Sequence, residues 1–294
     1  LAEWETHLAS TEESAIEELM TLLRIPSVST DPARAGDVRA TAECVAGRLR
    51  TAGVPLVQLV EGGGHPAVIG RWDADPAKPM VLVYGHYDVQ PEDPIDLWES
   101  PPFEPEVREG IIYGRGAADM KGNLLTAIHG VEANAKANGG APAVNVAFIF
   151  EGEEAIGSPS LVGIVREHKE LLKADAVLSA DGGQYKDDAP SQTVARKGLV
   201  GMQIDVYGAS TDLHSGSYGS LAPNAARAAA QIAASFHDPE GRIAVPGFYD
   251  RVIELTDEEK AEAAVGARDE AELAASLGLT ELVGEPGYTA QERV

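Results

Sequence analysis

Cysteine is almost absent. Cys44 is the single one in 294 residues, which excludes an internal disulfide and a thiolate metal cage and fits a reducing, cytoplasmic compartment. Positive charge is scarce too: 23 Lys and Arg stand against 47 Asp and Glu, a formal net charge of −24. Such a chain repels nucleic-acid phosphates and anionic lipid headgroups, so neither nucleic acid nor a membrane is expected as a partner. No apolar run approaches the roughly 18 residues that a membrane span needs. The opening "LAEWETHLAS" also lacks the basic segment and apolar core of a signal peptide, although Leu1 in place of Met suggests trimming.

What is present is a globular composition. At 44% hydrophobic residues, the chain can bury a sizeable core and is expected to form two domains. In "STEESAIEELMTLLRIPS", Ser10 and Glu13 have capping-box spacing, and Ile16, Leu19, Met20 and Leu23 share one face. This predicts an amphipathic helix that starts at Ser10 and stops before Pro26. A second helix is expected from Asp37 to Ala52, followed by short strands at "PLVQLV", "AVIG" and "VLVYG". "MKGNLLTAIHGVEANAKANGG" reads as a helix closed by glycines, and "VNVAFIFEGEE" and "DAVLSADGG" as buried strands. Strands alternating with helices imply an α/β sheet between helix layers. Beyond "SQTVARKG" the texture changes. "LVGMQIDVYG" reads as a half-exposed strand, "NAARAAAQIAASF" as an alanine-rich helix, and the stretch after Leu255 as two short acidic helices. The domains are therefore placed at residues 1–195 and 196–294.

Chemistry-bearing residues follow the apolar strands. His86 and Asp88 are two apart at the end of "VLVYG", so in an extended chain they point the same way; open α/β sheets bind ligands at that edge. Taken alone the pair is an ordinary hydrogen-bonded turn. Asp119 in "YGRGAADMKGN" reads either as a helix N-cap or as a carboxylate bent back by a glycine turn. Glu153 and Glu154 end the strand "VAFIF", where a merely solvated pair is out of place. Neighbours diverge in an extended chain, so one could hold a metal while the other faces bound water. Asp181 follows another apolar run and precedes two glycines. The convergence carries more than any single site. Carboxylates with one imidazole and no thiolate suit zinc, cobalt or manganese, and a shared aspartate suits two ions roughly 3.5–4 Å apart.

"GHYDVQP", "WESPPFEP", "GIIYGRGAADMKG", "EGEEAIGS", "ADGG" and "DLHSGSYGS", in this order, resemble the dinuclear-zinc metallopeptidases that include cytosolic non-specific dipeptidase, carnosinase, aminoacylase and succinyl-diaminopimelate desuccinylase. "DLHSG" and "GFYD" lean toward the dipeptidase branch. The resemblance implies a zinc-exopeptidase-like catalytic sheet flanked by helices, with an inserted α+β lid that forms a homodimer. It implies two Zn2+, or Co2+ or Mn2+ in their place. His86 and Asp181 would hold one ion, Glu154 the second, and Asp119 would bridge them. Asp88 would orient His86, Glu153 would act as general base, and His214 would stabilise the oxyanion. The Asp119–Met120 peptide would be cis. Met120 and Ala155 stand where many dipeptidase relatives carry acidic residues. A late histidine expected for the second ion is missing, since the last one is His237, so the second shell is expected to be incomplete, the chain being either truncated before its return to the catalytic domain or a natural remnant. The activity implied is hydrolysis of dipeptides or short peptides. Alternatives are deacylation of N-acyl amino acids at the same site, or a non-catalytic binding module.

Overall fold

Seven successive buried residues, Asn145–Glu151, form the central strand β6, and burial on both faces means that layers must cover the sheet on each side. The structure, a computed structural model, describes residues 2–183, 198–265, 267 and 269–293. The chain divides into two units, Leu1–Ser191 and Gln192–Val294. The boundary placed at residues 195 and 196 lies outside the described residues.

In the first unit, β1 (Leu56–Val60), β2 (Ala67–Trp72), β3 (Met80–His86) and β7 (Ala176–Ser179) join β6 in a sheet of order β1-β2-β6-β3-β7. β1 and β2, and β2 and β6, pair antiparallel, whereas β3 runs parallel to both β6 and β7. The sheet is therefore mixed, and its parallel half brings the carboxyl ends of β6, β3 and β7 to one edge. A hairpin of β4 (Glu106–Arg108) and β5 (Ile111–Tyr113) stands apart from it.

On one face, α1 (Glu3–Leu23), α2 (Ala35–Thr51) and α3 (Lys121–Ala137) cover Val83, Phe148 and Phe150 with Val38, Val45, Leu49, Leu124 and Ile128. On the other, α4 (Leu161–Glu167) and α5 (Lys169–Leu172) bring Ile164 and Leu172 onto Ile69 and Ile149. This is the three-layer α/β arrangement that the alternating pattern predicts. The first helix differs from expectation at its start. It begins at Glu3, and Ser10 lies inside it, donating back to the His7 carbonyl at 2.8 Å. A serine hydroxyl satisfied by its own helix gives no cap, so the capping-box spacing misled.

Lys121 ties the helical layer together. Its side chain is wholly buried at the start of α3, and Nζ donates to the carbonyls of Leu22, at 3.1 Å, and Ile25, at 2.7 Å. At the end of α1 these carbonyls accept the turn amides of Ile25, at 3.3 Å, and Ser27, at 2.9 Å, and the buried ammonium adds a further donor to each. Burial pushes the Lys121 amine down to about 7.

The second unit contains α6 (Ser215–Tyr218), α7 (Ala225–Ala234), α8 (Asp257–Ala264) and α9 (Glu270–Ser276). The alanine-rich helix and both acidic helices are where the sequence places them. "LVGMQIDVYG" is not a strand: it has no strand partner among the described residues, and Leu199 is 99% exposed. Alternation alone does not make a ladder when no neighbouring strand supplies the hydrogen bonds. No helix among the described residues is long and apolar enough to cross a membrane.

Replacing Lys121 by Met keeps the side-chain volume but removes both bonds, leaving the Leu22 carbonyl with the Ile25 amide and the Ile25 carbonyl with the Ser27 amide. The unfolding free energy should fall by about 0.5–1.5 kcal/mol per bond lost, seen in urea as a lower midpoint at unchanged slope.

Candidate metal centre

Asp88 is the fixed point of the parallel edge. Fully buried, it accepts from Ser29 Oγ at 2.6 Å, from the Glu154 amide at 3.2 Å and from the Ala155 amide at 3.0 Å. Its Oδ1 also lies 3.2 Å from His86 Nδ1. One carboxylate thus joins the loop after α1, the end of β3 and the turn after β6. Burial works to raise the Asp88 pKa, but the hydrogen bonds from His86 and Ser29 and the Ala155 amide hold it below the usual carboxylate range.

That contact decides which nitrogen of His86 is available. Nδ1 faces Asp88, both its carboxylate and its carbonyl at 3.1 Å, so Nε2 is turned outward to Asp119 Oδ1 at 3.0 Å. The arrangement matches a metal-ligating imidazole oriented by a carboxylate behind it. Burial works to lower the His86 pKa, yet Asp88, Glu154 and Asp119 raise it to about 9.

Asp119 reaches the edge from a glycine turn. Gly116 has φ +89°, a conformation that a side chain resists, and the Lys121 amide closes the turn on the Gly116 carbonyl at 2.9 Å. The Asp119–Met120 peptide is cis, as the resemblance implies. Met120 is buried beneath the end of β3, where its sulfur accepts from the His86 amide at 3.2 Å. A Cβ on Gly85 would lie 2.6 Å from Met120 Cε, so a larger residue before His86 would require the methionine to shift.

Asp181 comes from the turn after β7, where the Ala180 amide bonds the Tyr84 carbonyl at 2.9 Å. His86, Asp119 and Asp181 each offer one ligand atom, and the three atoms lie within 4.8 Å of one another. An imidazole nitrogen and two carboxylate oxygens from three separate loops form a donor set suited to a divalent cation. Asp119, with its side chain 72% exposed, keeps the open side of this set toward solvent.

The two adjacent glutamates have different surroundings. Glu153, expected as the general base, is buried, and its carboxylate accepts from the His65 amide at Oε1 and the Ser160 amide at Oε2, both at 3.0 Å. With both oxygens committed to main chain, it braces the loop before β2 against the start of α4. Glu154, expected as a ligand of a second ion, stands outside the three-residue group, with Oε2 at 3.7 Å from His86 Nε2 and a side chain 42% exposed. Partial burial raises its pKa. His86 opposes the rise, and Asp181, Asp88 and Asp119 add to it. His214, in the second unit, accepts the Gly216 amide at Nδ1, 3.1 Å away, as the cap of α6.

Sequence reasoning passed over Ser29, His65 and Ser160. Each acts on a carboxylate through a contact that carries no local motif; Ser29 and Asp88 are 59 positions apart. Glu151 was also missed. It is buried beside His86 in the strand register, and accepts from Tyr84 and Ser158, each at 2.8 Å.

Comparison with known proteins places this geometry among peptidases. A model of peptidase family M20/M25/M40 matches residues 82–276. The Cys-Gly metallodipeptidase DUG1 of Candida albicans is 35% identical over 260 residues, covering 83% of this chain and 53% of that protein. Human Beta-Ala-His dipeptidase is 34% identical over 196 residues, 66% of this chain and 38% of its own length. Among solved structures, the di-peptidase Dug1p from Saccharomyces cerevisiae has a TM-score of 0.74 at 28% identity, covering 99% of this chain and 63% of its own. Human carnosine dipeptidase 1 has a TM-score of 0.75 at 26% identity, covering 100% of this chain and 64% of its own. The chain spans about half the length of the curated relatives it matches.

The raised His86 pKa sets a pH dependence. In the metal-free chain the protonated ring contributes stability that is complete below the unfolded value of 6.5 and is lost as pH rises through about 9. Asp88, lowered from 3.8, contributes above that value and loses its contribution as pH falls. Thermal melts of the metal-free chain should therefore decline from pH 6.5 to 9, and His86→Gln should flatten that decline. Ion binding must displace the same proton. Calorimetry in buffers of different ionisation enthalpy should show proton release below pH 9, with affinity rising up to about tenfold per pH unit.

Proposed function

The chain belongs to peptidase family M20/M25/M40, and from that membership we propose that it is the metal-binding part of a dipeptidase, hydrolysing the amide bond of dipeptides or short peptides. The observation that carries this reading is the convergence of His86, Asp119 and Asp181 at the carboxyl edge of the sheet, with Asp88 behind the histidine. These three residues would hold a divalent cation, Zn2+ in the first instance and Co2+ or Mn2+ as substitutes. When bound there, such a cation supplies Lewis-acid polarisation of the scissile carbonyl and lowers the pKa of the attacking water. A two-ion centre is the finer form of the reading, and the second oxygen of the exposed Asp119 carboxylate is the donor that favours it.

The chain's own residues have separable tasks. Asp88 holds the His86 ring so that Nε2, and not Nδ1, is presented. Asp181 and Asp119 bring negative charge that a cation offsets and that repels other anions in its absence. We assign the proton transfer to Glu154 in place of Glu153. Glu154 is half-exposed beside His86, whereas Glu153 is held by two amides. Glu154 would accept a proton from water and return it to the leaving amine, so that the peptide bond breaks to a neutral amine and a carboxylic acid, which then loses its proton to solvent as a carboxylate.

His214 remains a proposal as the oxyanion donor of a lid formed by the second unit, with a second copy of the chain as partner. The proposed cellular site is the cytoplasm, in keeping with a single cysteine that forms no disulfide.

The test is hydrolysis of a dipeptide panel beside N-acetyl and N-succinyl amino acids, with Zn2+, Co2+ or Mn2+ added. Dipeptide turnover supports the reading; turnover of the acyl substrates alone replaces it with a deacylase. Glu154→Gln should lower kcat by about 10²–10⁴-fold while ion affinity stays near that of the parent. If Glu154→Gln instead abolishes ion binding as Asp181→Asn does, Glu154 is a ligand. Glu153→Gln should act first on stability, as a lower melting temperature.

A further inference from the structure

Two of the three proposed ligands sit on segments that are far apart in sequence and differently supported. Asp119 precedes α3, whose first residue is locked in the interior by the Lys121 bonds to Leu22 and Ile25. Asp181 follows β7, which among the described residues pairs with β3 alone and whose four residues are exposed. Strand pairing supports that segment as far as Ala180, whose amide bonds Tyr84. One residue beyond Asp181, the Gly182 carbonyl accepts from Asn123 Nδ2 at 2.7 Å.

Asn123 lies four positions after Asp119, in the first turn of α3. Its bond to Gly182 therefore closes a bridge between the two carboxylate-bearing segments at the place where the sheet no longer joins them. We propose that Asn123 is a positioning residue for the metal centre, holding the Asp181 turn against the start of α3 so that the Asp119 and Asp181 oxygens keep one spacing. This rests on the reading of His86, Asp119 and Asp181 as metal ligands. The chemistry asks for such a brace. The two carboxylates repel each other before an ion enters, and a bond that joins their two segments opposes that repulsion. A side-chain amide bond to the main chain resists it without adding charge.

Asparagine suits the task, because its amide donates while its length matches the gap. Aspartate at the same position is nearly the same shape but cannot donate to a carbonyl. Its extra negative charge, taken alone, would strengthen cation binding, so the sign of its effect separates hydrogen bonding from electrostatics.

The experiment titrates Co2+ into the full chain and into Asn123→Ala and Asn123→Asp, following the visible absorption of the bound ion. Hydrogen exchange is read in parallel on the peptide containing residues 180–183 of the metal-free proteins. Both variants should bind Co2+ about 10–100-fold more weakly, with a changed absorption band, faster exchange in that peptide and an unchanged melting temperature. Parent-like affinity in both variants overturns the proposal, as does tighter binding by Asn123→Asp. If the parent chain binds no Co2+, the ligand reading fails, and exchange decides the brace by itself. Faster exchange in the variants then sustains the brace, and unchanged exchange removes it.

Discussion

The buried carboxylate of Asp88 is the constraint on which the rest of the first unit's chemistry depends. A charge out of water must be met by donors, and four groups meet this one: Ser29, the amides of Glu154 and Ala155, and the His86 ring. Satisfying it fixes three things together. It selects the histidine nitrogen that faces outward, draws the turn after β6 toward the end of β3, and ties the segment after α1 to the same point. The proposed metal centre is thus built from behind.

The parallel half of the sheet gives that arrangement its place. β3, β6 and β7 end on one side, so three loops leave the sheet together, and a fourth arrives from the glycine turn before α3. The charged edge is supported by apolar layers on both faces, with buried Lys121 connecting the end of α1 to the start of α3. The mixed sheet also limits the site. β2 runs the other way and sends no loop to this edge from its carboxyl end, whereas β1 runs parallel to β6 and the segment joining it to β2 does reach the edge, through the His65 amide that holds Glu153.

Much of this was legible in the chain. The apolar runs ending in His86, in Glu153 and Glu154, and in Asp181 mark strand ends, and the observed strands fall within a few residues of those expected. The glycine-flanked Asp119 was readable because few residues other than glycine take the turn at Gly116. Two expectations failed for identifiable reasons. Ser10 has capping spacing, but the helix continues upstream through Glu3. "LVGMQIDVYG" alternates without a partner strand. The roles of Glu153 and Glu154 were not legible, because the extended-chain rule for neighbours gives divergence but not direction.

Composition and periodicity by themselves determined the layer order of the first unit, the strand ends that bear polar groups, and the donor types available to an ion, since these follow from local burial patterns and side-chain chemistry. Only the folded chain decided which polar groups meet. Asp88 finds Ser29, Glu153 finds His65 and Ser160, and Asn123 finds Gly182 across long stretches of sequence. The physical reason is that a hydrogen bond requires proximity and orientation within a few tenths of an ångström, and the packing of distant segments sets both.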